Sequence, residues 1–116
     1  MVVEDDEEAN QLQQKLLAAH GLESVPAFTG AEAIDVCEQS PPDAVLLDLM
    51  LPGMDGFETC RRLRQVNGRH LPIVILTTLD SEDHRKRSLD AGADAFFSKP
   101  FDPAEVIDTL RNLLAH

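Results

Sequence analysis

Five short apolar runs, each followed by a longer amphipathic stretch, leave this 116-residue chain few ways to fold. The runs cover residues 1–3, 25–28, 44–47, 73–76 and 95–97, and the third and fourth are apolar throughout, as strands covered on both faces must be. Helical spacing fills the intervals. The first helix carries Ala9, Leu12, Leu16 and Ala19 on one side and stops near Gly21; the second turns Ala33, Ile34 and Cys37 inward and ends before Pro41 and Pro42. The third spaces Phe57, Cys60 and Leu63 at three-residue intervals and ends around Asn67 and Gly68. The fourth, over 81–91, offers the core little beyond Leu89 and should be the least firmly held. The fifth opens with Asp102 as N-cap, Pro103 as first helical residue and Glu105 completing a capping box, then buries Val106, Ile107, Leu110, Leu113 and Leu114. Five strand–helix units in sequence imply right-handed crossovers and a parallel sheet with helices on both faces, a doubly wound α/β sandwich of three layers. No repeat, linker or second domain is visible, so residues 1–116 read as one domain.

Charge narrows the function classes. A formal net charge of -11 and a pI near 4.5 argue against direct binding to a nucleic-acid backbone or an anionic membrane, since both would repel the chain. Cys37 and Cys60 both fall in helical stretches and read as reduced, semi-buried thiols. No apolar stretch approaches the length that spans a bilayer and no signal peptide opens the sequence, which makes the cytoplasm the expected compartment.

Asp48 carries the most chemical information. It ends the apolar run Ala44-Val45-Leu46-Leu47, where an ionised carboxylate is costly unless a cation or hydrogen bonds compensate it. Glu4, Asp5 and Asp6 follow the first strand, Thr77 ends the fourth and Lys99 follows the fifth. In open parallel sheets, sites form beyond the carboxyl ends of the strands, so these scattered residues should converge. Carboxylates about 4 Å apart repel by roughly 4 kcal/mol per pair at an effective dielectric near 20 and call for a positive partner. Magnesium, which takes oxygen ligands and keeps several waters, suits such a pocket, with manganese able to substitute. With Lys99 and Thr77 facing it, Asp48 could attack a phosphoryl donor and form an aspartyl phosphate.

Each feature has a plainer explanation when taken alone. Asp5 with Glu8 fits a capping box for the first helix, and Arg85-Lys86-Arg87 reads as a solvated helix face. His20, His70, His84 and His116 lack metal-ligand spacing and read as surface residues. Gly53 and Gly56 read as turn and helix-start glycines, not as a phosphate-binding loop.

The start Val2-Val3-Glu4-Asp5-Asp6, the block from Leu46-Leu47-Asp48 through Pro52-Gly53-Met54-Asp55-Gly56, the strand end Ile75-Leu76-Thr77-Thr78 and Phe97-Ser98-Lys99-Pro100-Phe101 together resemble the receiver domain of bacterial two-component response regulators, the chemotaxis-regulator-like group. The resemblance covers essentially the whole chain. It implies a flavodoxin-like sheet of order 2-1-3-4-5, with Asp48 as phosphoacceptor, Asp5 as direct magnesium ligand, Glu4 as its water-mediated companion and the Met50 main-chain carbonyl as a further ligand. It also implies that Thr77 and Lys99 contact the phosphoryl group and that Lys99-Pro100 is a cis peptide. The implied partners are a histidine kinase or histidine phosphotransfer protein and an output domain or downstream protein. A phosphorylation-dependent homodimer on the fourth and fifth helices follows by family analogy alone. Phosphorylation would draw Thr77 and Lys99 inward and shift a two-state surface over the fourth and fifth strands and fourth helix. Phe96 stands at the family's aromatic switch position, often tyrosine, and lacks the hydroxyl.

Two rival functions share parts of this pattern. Phosphohydrolases with an aspartate nucleophile also use a strand-end aspartate, threonine, lysine and magnesium, but many place a general acid two residues after the nucleophile, where this chain has Met50. A phosphorylation-independent binding module would not need the full set of chemical positions. The expected activity is that of a phosphoacceptor switch with at most self-phosphotransfer and slow autodephosphorylation.

Overall fold

Alternating side chains divide the strands' contacts between two layers, and that division organises the computed structural model, which describes residues 1–67 and 70–115. The elements are β1 Val2–Val3, α1 Glu7–Ala19, β2 Pro26–Ala27, α2 Gly30–Gln39, β3 Val45–Leu47, α3 Gly56–Asn67, β4 Ile73–Thr77, α4 Glu82–Asp90, β5 Ala95–Ser98 and α5 Pro103–Leu114. All strand pairs are parallel, in the order β2-β1-β3-β4-β5. Val3, Val45, Leu47, Ile73 and Ile75 pack against Ala33, Cys37, Phe57, Cys60 and Leu63 of α2 and α3. The alternate positions Val2, Leu46, Val74 and Leu76 pack against Leu17 of α1 and Val106, Ile107 and Leu110 of α5. Both faces are thus covered, which is why β3 and β4 have no polar alternation. No helix among the described residues is long and apolar enough to cross a membrane.

Several sequence expectations change in detail. Strand ends move by one or two residues: β2 is shorter than 25–28, while β4 and β5 reach Thr77 and Ser98. The first helix is capped by Asp6, whose carboxylate accepts from the Ala9 N–H at 3.1 Å, so the capping role expected of Asp5 falls one residue later. Its buried face is Asn10, Gln13 and Leu17, whereas Leu12 is 66% exposed. The inward face is rotated because Asn10, a polar residue there, finds partners inside. Asp102 caps α5 by accepting from the Ala104 N–H at 3.0 Å, and Leu114 at its end is exposed rather than buried. The end of α3 is described to Asn67; Gly68, named as its stop, lies outside the described residues, as does His116. His20 and His70 are exposed, while His84 is half-buried beside the Phe57 ring.

Helix α4 departs furthest from expectation. Leu89 is 46% exposed, and the buried residue of the helix is Ser88, whose hydroxyl donates to the His84 carbonyl at 2.8 Å. Arginines supply what apolar side chains do not: the Arg87 guanidinium lies 4.1 Å from the centroid of Phe57, and that of Arg85 lies 5.2 Å from the centroid of Phe96. The basic run is therefore partly packed on rings, not wholly solvated. Leu89→Gln is accordingly expected to change unfolding free energy by less than about 0.5 kcal/mol in urea titration, where a core leucine would cost several times more.

Both thiols are free and buried; burial pushes that of Cys60 up to about 11.

Candidate functional site

The carboxyl ends of β1, β3, β4 and β5 face one side of the sheet, and parallel register aligns them: Val3 pairs with Leu47, Leu47 with Ile75 and Thr77 with Ser98. The residues that follow these positions are Glu4, Asp48 and Lys99, and they meet. Lys99 Nζ donates to Glu4 Oε1 at 2.6 Å and to Asp48 Oδ2 at 3.3 Å, bridging two carboxylates that are 95 and 51 residues away in sequence. The Glu4 and Asp48 side chains are only 5% and 10% exposed, so removing the ammonium would leave two buried carboxylates without a cation. Met50 N–H donates to the other Asp48 oxygen, Oδ1, at 3.1 Å, and the Asp6 N–H donates to Glu4 Oε2 at 3.3 Å.

Burial pushes the Glu4 carboxyl up, the nearby Asp48 charge adds to the effect, and the hydrogen bond from Lys99 opposes it. For Lys99 burial acts downward, but the bond to Glu4 and the charges of Asp48 and Glu4 outweigh it and raise the ammonium pKa. The pocket therefore holds a protonated lysine firmly and two carboxylates under electrostatic load.

The other expected residues are nearby in the chain but not all in contact. Asp5 is exposed at the rim. Thr77 is fully buried, and its hydroxyl accepts from the Leu79 N–H at 3.3 Å. Met50 is 54% exposed, with its sulfur accepting a contact from the Thr78 hydroxyl at 3.4 Å. Phe96 is buried under Arg85, and Lys99-Pro100 is cis.

The donor set suits magnesium. Glu4, Asp5, Asp48 and the Met50 carbonyl are hard oxygen donors, and the Glu4 and Asp48 carboxylates share one ammonium, an excess of negative charge that a divalent cation would neutralise. Among the described residues no three acidic, histidine or cysteine side chains already stand together as a metal group; the ammonium bridges Glu4 and Asp48, and Asp5 is exposed. Size would mislead here: a cleft of about 920 Å³ opens at the other end of the strands, between Met1, Leu22, Val25, Ala44 and Leu110, far from this chemistry.

Sequence reading missed Asn10 and the tight packing at Gly56. Asn10 is fully buried, and its amide nitrogen lies within 3.0, 3.1 and 3.3 Å of the carbonyls of Val2, Glu4 and Ala27. It ties the ends of β1 and β2 together immediately below Glu4. The signal was the spacing of Asn10, Gln13 and Leu17, hidden behind a more apolar neighbouring stripe.

Comparison with known proteins gives one consistent outcome. A family model described as the response regulator receiver domain matches residues 1–111. Response regulator MprA of Mycobacterium sp. (strain KMS) is 42% identical over 114 residues, which are 98% of this chain and 49% of that protein. The chain thus spans about half the length of the curated relatives it matches. Among solved structures, the BeF3-activated N-terminal receiver domain of Klebsiella pneumoniae RstA is 40% identical with a TM-score of 0.92, over 99% of this chain and 97% of that one. The receiver domain of sensor histidine kinase PA1611 of Pseudomonas aeruginosa PAO1, with magnesium coordinated in its active site cleft, is 30% identical with a TM-score of 0.90, over 99% and 95% of the two chains.

Proposed function

This chain belongs to the response-regulator receiver family of two-component systems, whose members are signalling switches and not turnover enzymes, and from that premise we propose that Asp48 accepts a phosphoryl group from a histidine kinase or phosphotransfer protein. One observation carries the reading. A carboxylate nine-tenths buried at the end of β3 is held by a backbone N–H on one oxygen and an ammonium on the other, beside a second buried carboxylate. In the reaction an Asp48 oxygen forms a bond to phosphorus as the bond to the donor's leaving atom breaks, with its electron pair departing on the donor. Lys99 offsets charge on the transferring group, and the Met50 N–H orients the nucleophile. Glu4, Asp5, Asp48 and the Met50 carbonyl are the residues that would hold magnesium, whose chemistry is to neutralise phosphoryl and carboxylate charge; manganese would serve in the same way.

After transfer, Lys99 and the Thr77 hydroxyl turn to the new phosphoryl oxygens, and the change is read at Phe96 and the surface of α4 and β5. Met50 carries no ionisable group where a hydrolase would place its general acid, so the aspartyl phosphate turns over slowly. The partners of the whole protein, an output domain or a downstream protein and a phosphorylation-dependent second copy, act in the cytoplasm in this reading.

Intact-protein mass spectrometry after incubation with acetyl phosphate tests it. One added phosphoryl group is expected with magnesium, none with EDTA and none for Asp48→Asn. Equal uptake by Asp48→Asn would move the acceptor elsewhere, and no uptake by the wild type, under conditions that label another receiver, would favour a phosphorylation-independent binding module.

A further inference from the structure

Gly56 stands directly behind the phosphoacceptor. It is the first residue of α3, and its N–H donates to the Leu49 carbonyl at 3.0 Å. A Cβ placed on it would lie 2.5 Å from the Asp48 carbonyl oxygen and closer still to the Leu49 Cα, both of them backbone atoms. These atoms cannot swing aside as the tip of a side chain can. Leu49 and Asp48 are buried, and the Asp48 N–H is tied to the Val3 carbonyl at 3.0 Å. Gly53, in the same loop, is the opposite case: its φ of +74° requires glycine's freedom, yet nothing lies within 4 Å of where its Cβ would be. One glycine is demanded by space, the other by conformation.

We propose that Gly56 is a positioning residue for phosphoryl acceptance: its bare Cα backs the Asp48–Leu49 peptide and so fixes where the Asp48 carboxylate stands relative to Glu4 and Lys99. This rests on the reading of Asp48 as acceptor. Any side chain at position 56 pushes that peptide away from α3. The contacts at stake have little slack, since Asp48 Oδ1 is held at 3.1 Å by the Met50 N–H and Oδ2 at 3.3 Å by Lys99. A displacement of about 1 Å is enough to cost on the order of a hundredfold in an aligned transfer. Gly53→Ala strains the same loop without pressing on Asp48, so it separates loss of stability from loss of alignment.

The experiment compares wild type, Gly56→Ala and Gly53→Ala as full chains with acetyl phosphate and magnesium, at a temperature where circular dichroism shows each fully folded. The limiting phosphorylation rate of Gly56→Ala is expected to fall at least about tenfold, with the half-saturating donor concentration unchanged and Gly53→Ala within about threefold of wild type. A folded Gly56→Ala that matches the wild type would overturn the proposal. Absence of uptake by the wild type would instead overturn the acceptor reading. Should Gly56→Ala fold poorly, the assay is repeated in trimethylamine N-oxide, which favours the compact state without repairing local geometry. Independently of any variant, a strong nuclear Overhauser effect between the Gly56 and Leu49 Hα protons is expected in the wild type before and after phosphorylation; its loss on phosphorylation would also overturn the proposal.

Discussion

Lys99→Met is expected to melt roughly 10 °C below the wild type near pH 8, with the gap narrowing toward pH 5, and to take up phosphoryl groups about a hundredfold more slowly. The stability loss comes from two buried carboxylates left facing each other once the ammonium is gone. Removing one partner of a buried ion pair costs about 3–5 kcal/mol; the Lys99 side chain is 20% exposed, which places this case toward or below the lower end. The hydrocarbon of methionine replaces most of the lysine stem, so lost packing contributes little.

The pH dependence fixes the cause. Burial and the Asp48 charge already raise the Glu4 carboxyl above its ordinary value, and the hydrogen bond from Lys99 is the strongest influence opposing them. Without Lys99 the Glu4 pKa rises further, so the folded variant binds a proton more tightly than the unfolded chain and gains stability as pH falls through that raised value. In the wild type Lys99 has the complementary dependence. Its own pKa is raised, so its contribution is complete below the ordinary lysine range and fades only as pH climbs through the higher folded value. Differential scanning calorimetry of both proteins between about pH 5 and pH 8 checks this. A gap that stays constant with pH would mean that Glu4 is not electrostatically dependent on Lys99.

Periodicity made the sheet and most helix faces readable because both layers are apolar where they meet. Cys60 and Leu63 mark the inner face of α3 without ambiguity, and Val106, Ile107 and Leu110 do the same for α5. The meeting of Glu4, Asp48 and Lys99 was also legible, since strand ends in a parallel sheet converge whatever the loops do. Reading failed where a polar residue does an apolar residue's job. Ser88 sits inside because its hydroxyl is satisfied by its own helix, and Arg85 and Arg87 hold α4 through their planar cations; a hydrophobic pattern sees neither. Nor does it see local hydrogen bonds such as the one the Thr77 hydroxyl accepts from the Leu79 N–H.

Asn10→Leu, a change of similar size to a more apolar side chain, is expected to destabilise the fold by about 3 kcal/mol, whereas Leu12→Gln on the same helix should change it by less than about 0.5 kcal/mol. The contrast reverses what hydrophobicity alone would predict. Asn10 is fully buried; its amide nitrogen bonds the carbonyls of Val2, Glu4 and Ala27, and its oxygen accepts from the Gln14 amide at 2.8 Å. Leucine supplies no donor. The Ala27 carbonyl retains the Glu4 N–H at 3.0 Å, so the sharpest loss falls on the Glu4 carbonyl, just past the end of β1. An unsatisfied buried acceptor costs about 1–3 kcal/mol, and loosening the network it shares with Gln14 adds to that. Leu12, at 66% exposure, has little burial to lose. Because Asn10 fixes the backbone that carries Glu4, the variant should also bind magnesium several-fold more weakly in a calorimetric titration at a temperature where it stays folded, while Leu12→Gln binds as the wild type does. Comparable urea midpoints for the two variants would mean that α1 turns a different face to the sheet.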